Sequence, residues 1–157
     1  MSPSADVGPA SAILDDSSLR HLLGHHLAQA DVPAKKAFFR HIGDPLQLRP
    51  VEFSLLVLIA HNDNVTQKQL SQALSVSAPN ITIVLDRLAE RELLTRTRSE
   101  VDRRSQHVRL TRKGSLLARK AQELSLTMER EALGGLSEAE RAMLFELLQK
   151  VARRRKL

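Results

Sequence analysis

Twelve positions carry side chains suited to holding a polyanion and reading its edges: Ser75, Ser77, Pro79, Asn80, Thr82, Ile83, Arg87, Arg96, Arg98, Asp102, Arg103 and Arg104. Ser75, Ser77 and Thr82 offer hydroxyls to bases or phosphates. The Asn80 amide can pair with adenine at two points, and Ile83 can touch a thymine methyl group. Pro79 stands between them in the first turn of a helix. The arginines are weakly hydrated cations that suit phosphates and a narrow minor groove. Asp102 would repel phosphate if free. It makes sense as a carboxylate that forks onto a nearby Arg and steadies the loop. Residues 91–113 hold eight Lys/Arg against three Asp/Glu, a local charge of +5 out of +6 for the chain.

These positions need a scaffold, and residues 66–111 supply one. Leu70, Ala73 and Leu74 give an inward face to a short helix over 67–74, with Thr66 and Gln69 at capping-box spacing. Ser75, Val76 and Ser77 form a tight turn. A second helix follows over 78–91, capped by Ser77, with Ile81, Val84, Leu85 and Leu88 as its buried stripe. Asn80, Thr82, Ile83 and Arg87 are left on its outer side. Loose alternation over 94–98 and 106–110 predicts two strands of a hairpin, with 102–104 between them. A helix, a turn, a second helix and a basic hairpin make a winged helix. Its second helix enters a DNA major groove, and its hairpin reaches the backbone and the minor groove.

Composition narrows the partner. The chain has 157 residues, no Cys, no Trp, no Tyr and four Phe. Without Cys there is no disulfide, thiolate zinc site or cysteine redox sensor. Without aromatic platforms, single-stranded nucleic acid is a poor fit, so duplex DNA is favoured. No apolar run approaches the roughly 20 residues that span a bilayer, and no basic-then-apolar leader stands at the start, so a cytoplasmic protein is expected. His21 and His25 are four apart, with His26 and His41 beyond, yet no acidic partner completes a metal site; they read as surface or interface residues. A phosphate-binding glycine loop, a Cys nucleophile and a Gly-x-Ser-x-Gly elbow are all missing, and the acids fall on solvated faces or caps. No enzyme and no cofactor is expected.

Residues 1–15 read as a loose tail. Residues 16–50 form an N-terminal helix, capped by Asp16 or Ser17, kinked by Pro33, ending near His41 and followed by a turn at Gly43, Asp44 and Pro45. Pro50 opens a helix over 51–61 that is apolar nearly all round and belongs in the middle of the domain. Val65 can add a short strand. Thr111 caps a helix to about Leu133, stopped by Gly134 and Gly135. Ser137 and Glu140 cap the last helix, striped by Met143, Leu144, Leu147, Leu148 and Val151. The expected fold is mostly α: a winged core at 51–111, with flanking N-terminal and C-terminal (112–157) helices whose spare apolar faces suit a two-fold dimer.

At Asp102-Arg103-Arg104-Ser105-Gln106-His107-Val108-Arg109-Leu110-Thr111 the chain resembles the MarR family of bacterial transcription regulators. Arg112-Lys113-Gly114 continues the match, and so does Asp86-Arg87-Leu88 near the end of the second helix. The resemblance implies a homodimer on a palindromic operator, usually released by a small molecule, with Arg104 as the groove-inserting residue. Glu92 stands where the family commonly has Gly, and Arg49 replaces the expected Thr or Ser cap. A regulatory pocket is expected between the helices at 16–41, 51–61 and 112–133, with His25, Phe38, Phe39, Arg40 and Phe53 as liners. Lys35, Lys36 and Arg40 form a basic strip that can attract an aromatic acid or its coenzyme A thioester. The competing reading is a constitutive or architectural winged helix with no effector.

Overall fold

The computed structural model describes residues 14–98 and 106–153. They fall into two compact units, one up to Pro33 and one from Ala34 onward. In the first, Ser17–Leu19 forms a single 3₁₀ turn before α1, Leu23–Phe38, whose residues from Ala34 on belong to the second. His25 Nε2 lies 3.6 Å from the Asp16 carboxylate, and His26 Nε2 is 2.7 Å from the Arg20 carbonyl.

The expected turn at Gly43, Asp44 and Pro45 is not there. Helical backbone continues as a wide π turn, Phe39–Gly43, and then α2, Asp44–Leu46. A proline ring presses on the carbonyl four residues back, here that of His41, and a widened turn makes room for it. The reversal comes at Gln47, which is left-handed (φ 52°). Glu131 holds this segment to the C-terminal half of α6, Arg112–Ala132: its carboxylate accepts from Arg40 and His41 at 2.5 Å each. The His41 hydrogen bond, helped by the Arg40 charge, holds the Glu131 carboxyl below its usual pKa. That contact is therefore stabilising above the carboxylate range and is lost as pH falls through it.

Helix α3, Pro50–Ala60, sits centrally as expected, against α4, α5, β2 and α6. α4 is Gln67–Leu74 and α5 is Ala78–Glu90. Ile42, Leu55, Leu56, Ile81, Leu85, Leu88 and Ala121 are fully buried between these helices. Leu70 is buried as predicted, but Ala73 is exposed, because the inward arc of so short a helix is filled by Leu70 and Leu74. β1, Leu94–Arg98, pairs antiparallel with β2, Gln106–Leu110, from Leu94 opposite Leu110 to Arg98 opposite Gln106. The short strand expected at Val65 exists as one bridge, with the Val108 N–H donating to the Val65 carbonyl at 2.8 Å. α7, Glu138–Ala152, buries no residue, and Met143, Phe145, Leu147 and Val151 stay exposed, as does Leu126 on α6.

The junction from α5 into the wing is tight despite lacking a glycine. Glu92 is left-handed (φ 58°), its N–H donates to Ala89 at 2.8 Å, and Leu93 N–H donates to Leu88 at 3.0 Å, the bonds of a Schellman cap. A left-handed non-glycine residue costs about 1–2 kcal/mol. The Glu92–Lys113 pair at 3.8 Å is solvated and offsets little of this. Glu92→Gly should therefore stabilise the protein by about 0.5–1 kcal/mol, net of the added freedom of the unfolded chain. Thermal unfolding checks it, and a lower melting temperature would contradict the strain argument.

Candidate nucleic-acid interface

The N-terminal half of α5 is the surface the fold prepares. Ile81, Leu85 and Leu88 anchor the helix from below, and Ser77, Pro79, Asn80 and Ile83 are left exposed, Ile83 at 55%. Ser77 has the extended backbone of a cap, but its hydroxyl makes no capping hydrogen bond, contrary to expectation. Pro79, at the second helical position, has no N–H to offer such a cap. The first-turn N–H groups of Ala78 and Asn80 and the positive end of the helix dipole thus remain open to a phosphate. Ser75, exposed and left-handed (φ 53°), closes α4 just before it. Ser71 Oγ donates to the Val76 carbonyl at 2.6 Å and fixes the turn.

Several of the expected contact residues are also structural ties. Thr82 is half-buried, not simply outward: its hydroxyl accepts from Gln67 Nε2 at 2.6 Å and donates to the Ala78 carbonyl at 3.0 Å. It locks α5 to α4. The Arg96 guanidinium pairs with Asp86, which pins β1 to α5. Arg87 lies 3.4 Å from Glu52. Backbone at Arg98 continues β1. Asp102, Arg103 and Arg104 lie outside the described residues.

Glu52 is the residue sequence reasoning missed. The expectation puts the acids on solvated faces or caps; Glu52 is a cap, but one that is only 2% exposed. Its Oε2 accepts the Arg49 N–H at 2.8 Å, which is why α3 starts cleanly without a Thr or Ser cap. Arg91 reaches within 3.9 Å of the same carboxylate and donates to the Gln47 and Leu46 carbonyls at 2.7 and 3.3 Å. One buried anion thus ties the start of α3 to the C-terminal end of α5. The available signal was a glutamate three residues after Arg49, at cap spacing, one turn of chemistry from two arginines that only the fold brings near.

The five expected effector residues separate. Phe38 is core; its ring meets those of Phe39 and Phe53 edge-on, centroids 5.5 and 6.0 Å apart. Phe39 is exposed and opens on a cavity of about 250 Å³ shared with Arg49, Glu52 and Arg87. Arg40 is turned to Glu131, and His25 belongs to the other unit. Among the described residues no group of three or more His, Cys, Asp and Glu is placed to hold a metal ion, and no helix is long and apolar enough to cross a membrane.

A sequence model of the MarR family matches residues 48–106. The chain is 29% identical to a Thauera aromatica protein assigned as transcriptional regulatory protein for the hcr operon, over 90% of this chain and 86% of that one. It is 32% identical to the HTH-type transcriptional regulator MhqR of Bacillus subtilis strain 168, over 66% of this chain and 72% of that one. Among solved structures, the transcriptional repressor CouR bound to a 23-mer DNA duplex superposes with a TM-score of 0.82 at 34% identity, covering 90% of this chain and 99% of that one. CouR bound to p-coumaroyl-CoA superposes at 0.80 with 31% identity and the same coverage.

Proposed function

The chain belongs to the MarR family of transcriptional regulators, and from that premise we propose that it acts as a homodimeric repressor on a palindromic duplex operator, released by a small aromatic acid or its coenzyme A thioester. One observation carries the DNA reading: α5 is locked from below and beside by Ile81, Leu85, Thr82 and Arg87, and offers Ser77, Pro79, Asn80 and Ile83 to a major groove. The apolar faces left open on α7 and at Leu126 support the dimer. Two such helices must meet major grooves about 34 Å apart, so a shift of a few ångströms breaks the fit. CouR, bound to p-coumaroyl-CoA in one structure and to DNA in another, supports an acyl thioester as effector class.

Sedimentation and fluorescence anisotropy test this reading. The expected species is twice 17.5 kDa, binding duplex better than single strands, with affinity falling with salt by a logarithmic slope of about −0.9 per neutralised phosphate. A stable monomer with equal affinity for both strand forms would sink it. Binding that no aromatic acid or thioester relieves would favour the constitutive reading.

The wing gives a sharper test. We infer that Arg104 enters the minor groove and that Asp102 steadies it. Arg104→Ala should cost about 1–3 kcal/mol of operator affinity. Asp102→Ala should also weaken binding, although it removes a negative charge. If Asp102→Ala binds more tightly at moderate salt, simple electrostatics governs the wing and the orienting role is wrong.

A further inference from the structure

We propose that Ile83 is the specificity-determining residue of α5 and reads the C5-methyl group of a thymine in each half-site, beside an adenine paired to Asn80. This deepens the major-groove reading of α5 given above and rests on it. Within Ala78–Glu90 the exposed residues are Ala78, Pro79, Asn80, Ile83 and Glu90. Glu90 closes the far end, where an acid would repel phosphate. Of the four on the N-terminal half, three are apolar, and Asn80 alone carries a hydrogen-bonding side chain. Pro79 and Ile83 are four apart and share a face, and Asn80 lies three before Ile83, so the three form one continuous patch.

The polar residues that could compete for the role are withdrawn. An arginine forking onto guanine is the commonest specific contact in a major groove. α5 holds a single arginine, Arg87, and no lysine. Arg87 is partly buried and turned to Glu52 at 3.4 Å. Thr82 has one hydroxyl proton and gives it to the Ala78 carbonyl, while Gln67 donates to the same oxygen. Ser77, the cap residue, is exposed, but a serine hydroxyl suits any base. What remains is an amide that suits adenine and a branched alkyl group that suits a thymine methyl, so α5 selects A·T pairs. Ile83 is prepared for that contact. A β-branched side chain in a helix keeps one strongly preferred rotamer, so it loses little freedom on packing. With 55% of its surface exposed, it also has apolar area still to cover.

The probe is the duplex that the full chain enriches most from a pool with a randomised centre. Each of its thymines is replaced in turn by deoxyuridine, which removes the methyl group and keeps every hydrogen bond. Fluorescence anisotropy should find one thymine per half-site at which the replacement weakens binding about fourfold, as expected for one buried methyl group, and roughly fifteenfold when both half-sites lose theirs. Ile83→Ala should bind the thymine duplex more weakly and lose that discrimination, with an unchanged thermal unfolding curve because the side chain is exposed. Ile83→Val should keep the discrimination. Asn80→Ala should weaken binding and leave the uracil penalty in place. A pool from which nothing is enriched overturns the DNA-binding reading and this one with it. Because the uracil scan uses the unaltered protein, it can overturn the proposal even if a variant fails to fold. An enriched duplex with no such thymine, or a uracil penalty of the same size in Ile83→Ala, overturns the role of Ile83 and leaves DNA binding intact.

Discussion

Gly114→Ala should destabilise the protein by about 3 kcal/mol or more, the upper end of overpacking effects. A Cβ at Gly114 would stand 1.9 Å from the Leu93 carbonyl oxygen and 2.8 Å from its carbon. The obstacle is backbone, and it is already committed: Leu93 N–H closes the cap of α5 and its carbonyl accepts the Thr111 N–H at 3.1 Å. The junction cannot yield without moving α5, the wing or the start of α6. For a chain of this size the melting temperature should fall by about 6–12 °C, and operator binding should fall with it because the hairpin is re-aimed. Ser115→Ala, one residue on and exposed, should stay within about 0.5 kcal/mol of the parent. Equal melting temperatures for Gly114→Ala and the parent would show that this approach is not needed.

Glu52→Ala should cost about 2–3 kcal/mol. It leaves the Arg49 N–H without its acceptor and removes the anion facing Arg87 and Arg91. Full burial of both partners would cost more, but the two guanidinium groups are 37% and 32% exposed, so water compensates in part. Glu52→Gln keeps an acceptor for the Arg49 N–H and loses only the charge, so it should fall between parent and Ala. Operator affinity should drop in both variants, measured well below their melting temperatures, because α5 loses its tether to α3. Denaturant unfolding orders the three proteins. A Glu52→Ala variant as stable as the parent would mean that the ion cluster is incidental to the fold.

Much of this molecule was legible as a string of residues because the relevant physics is local. The bounds of α4 and of both strands, and the caps at Thr66, Thr111 and Ser137, rest on side chains that act within four residues of their own backbone. The stripe of Ile81, Leu85 and Leu88 follows from helical period alone, and it dictates which half of α5 faces solvent. Burial of a charge has no such local rule. Glu52 is paired with Arg87, 35 residues away, Thr82 with Gln67, 15 away, and Arg96 with Asp86 across the wing junction. Cap spacing from Arg49 marks Glu52 as a capping acid, but nothing along the chain announces its burial, and Arg87 and Arg96 read the same whether they await a phosphate or already hold a carboxylate. The helical segment past His41 is likewise tied at a distance, by Glu131 on α6 holding Arg40 and His41. The sequence determined the elements and the exposed reading face, because those depend on neighbours along the chain. Which polar side chains remain available for DNA was decided by tertiary structure, because a buried charge or hydroxyl must be satisfied by whichever partner the packing brings within reach.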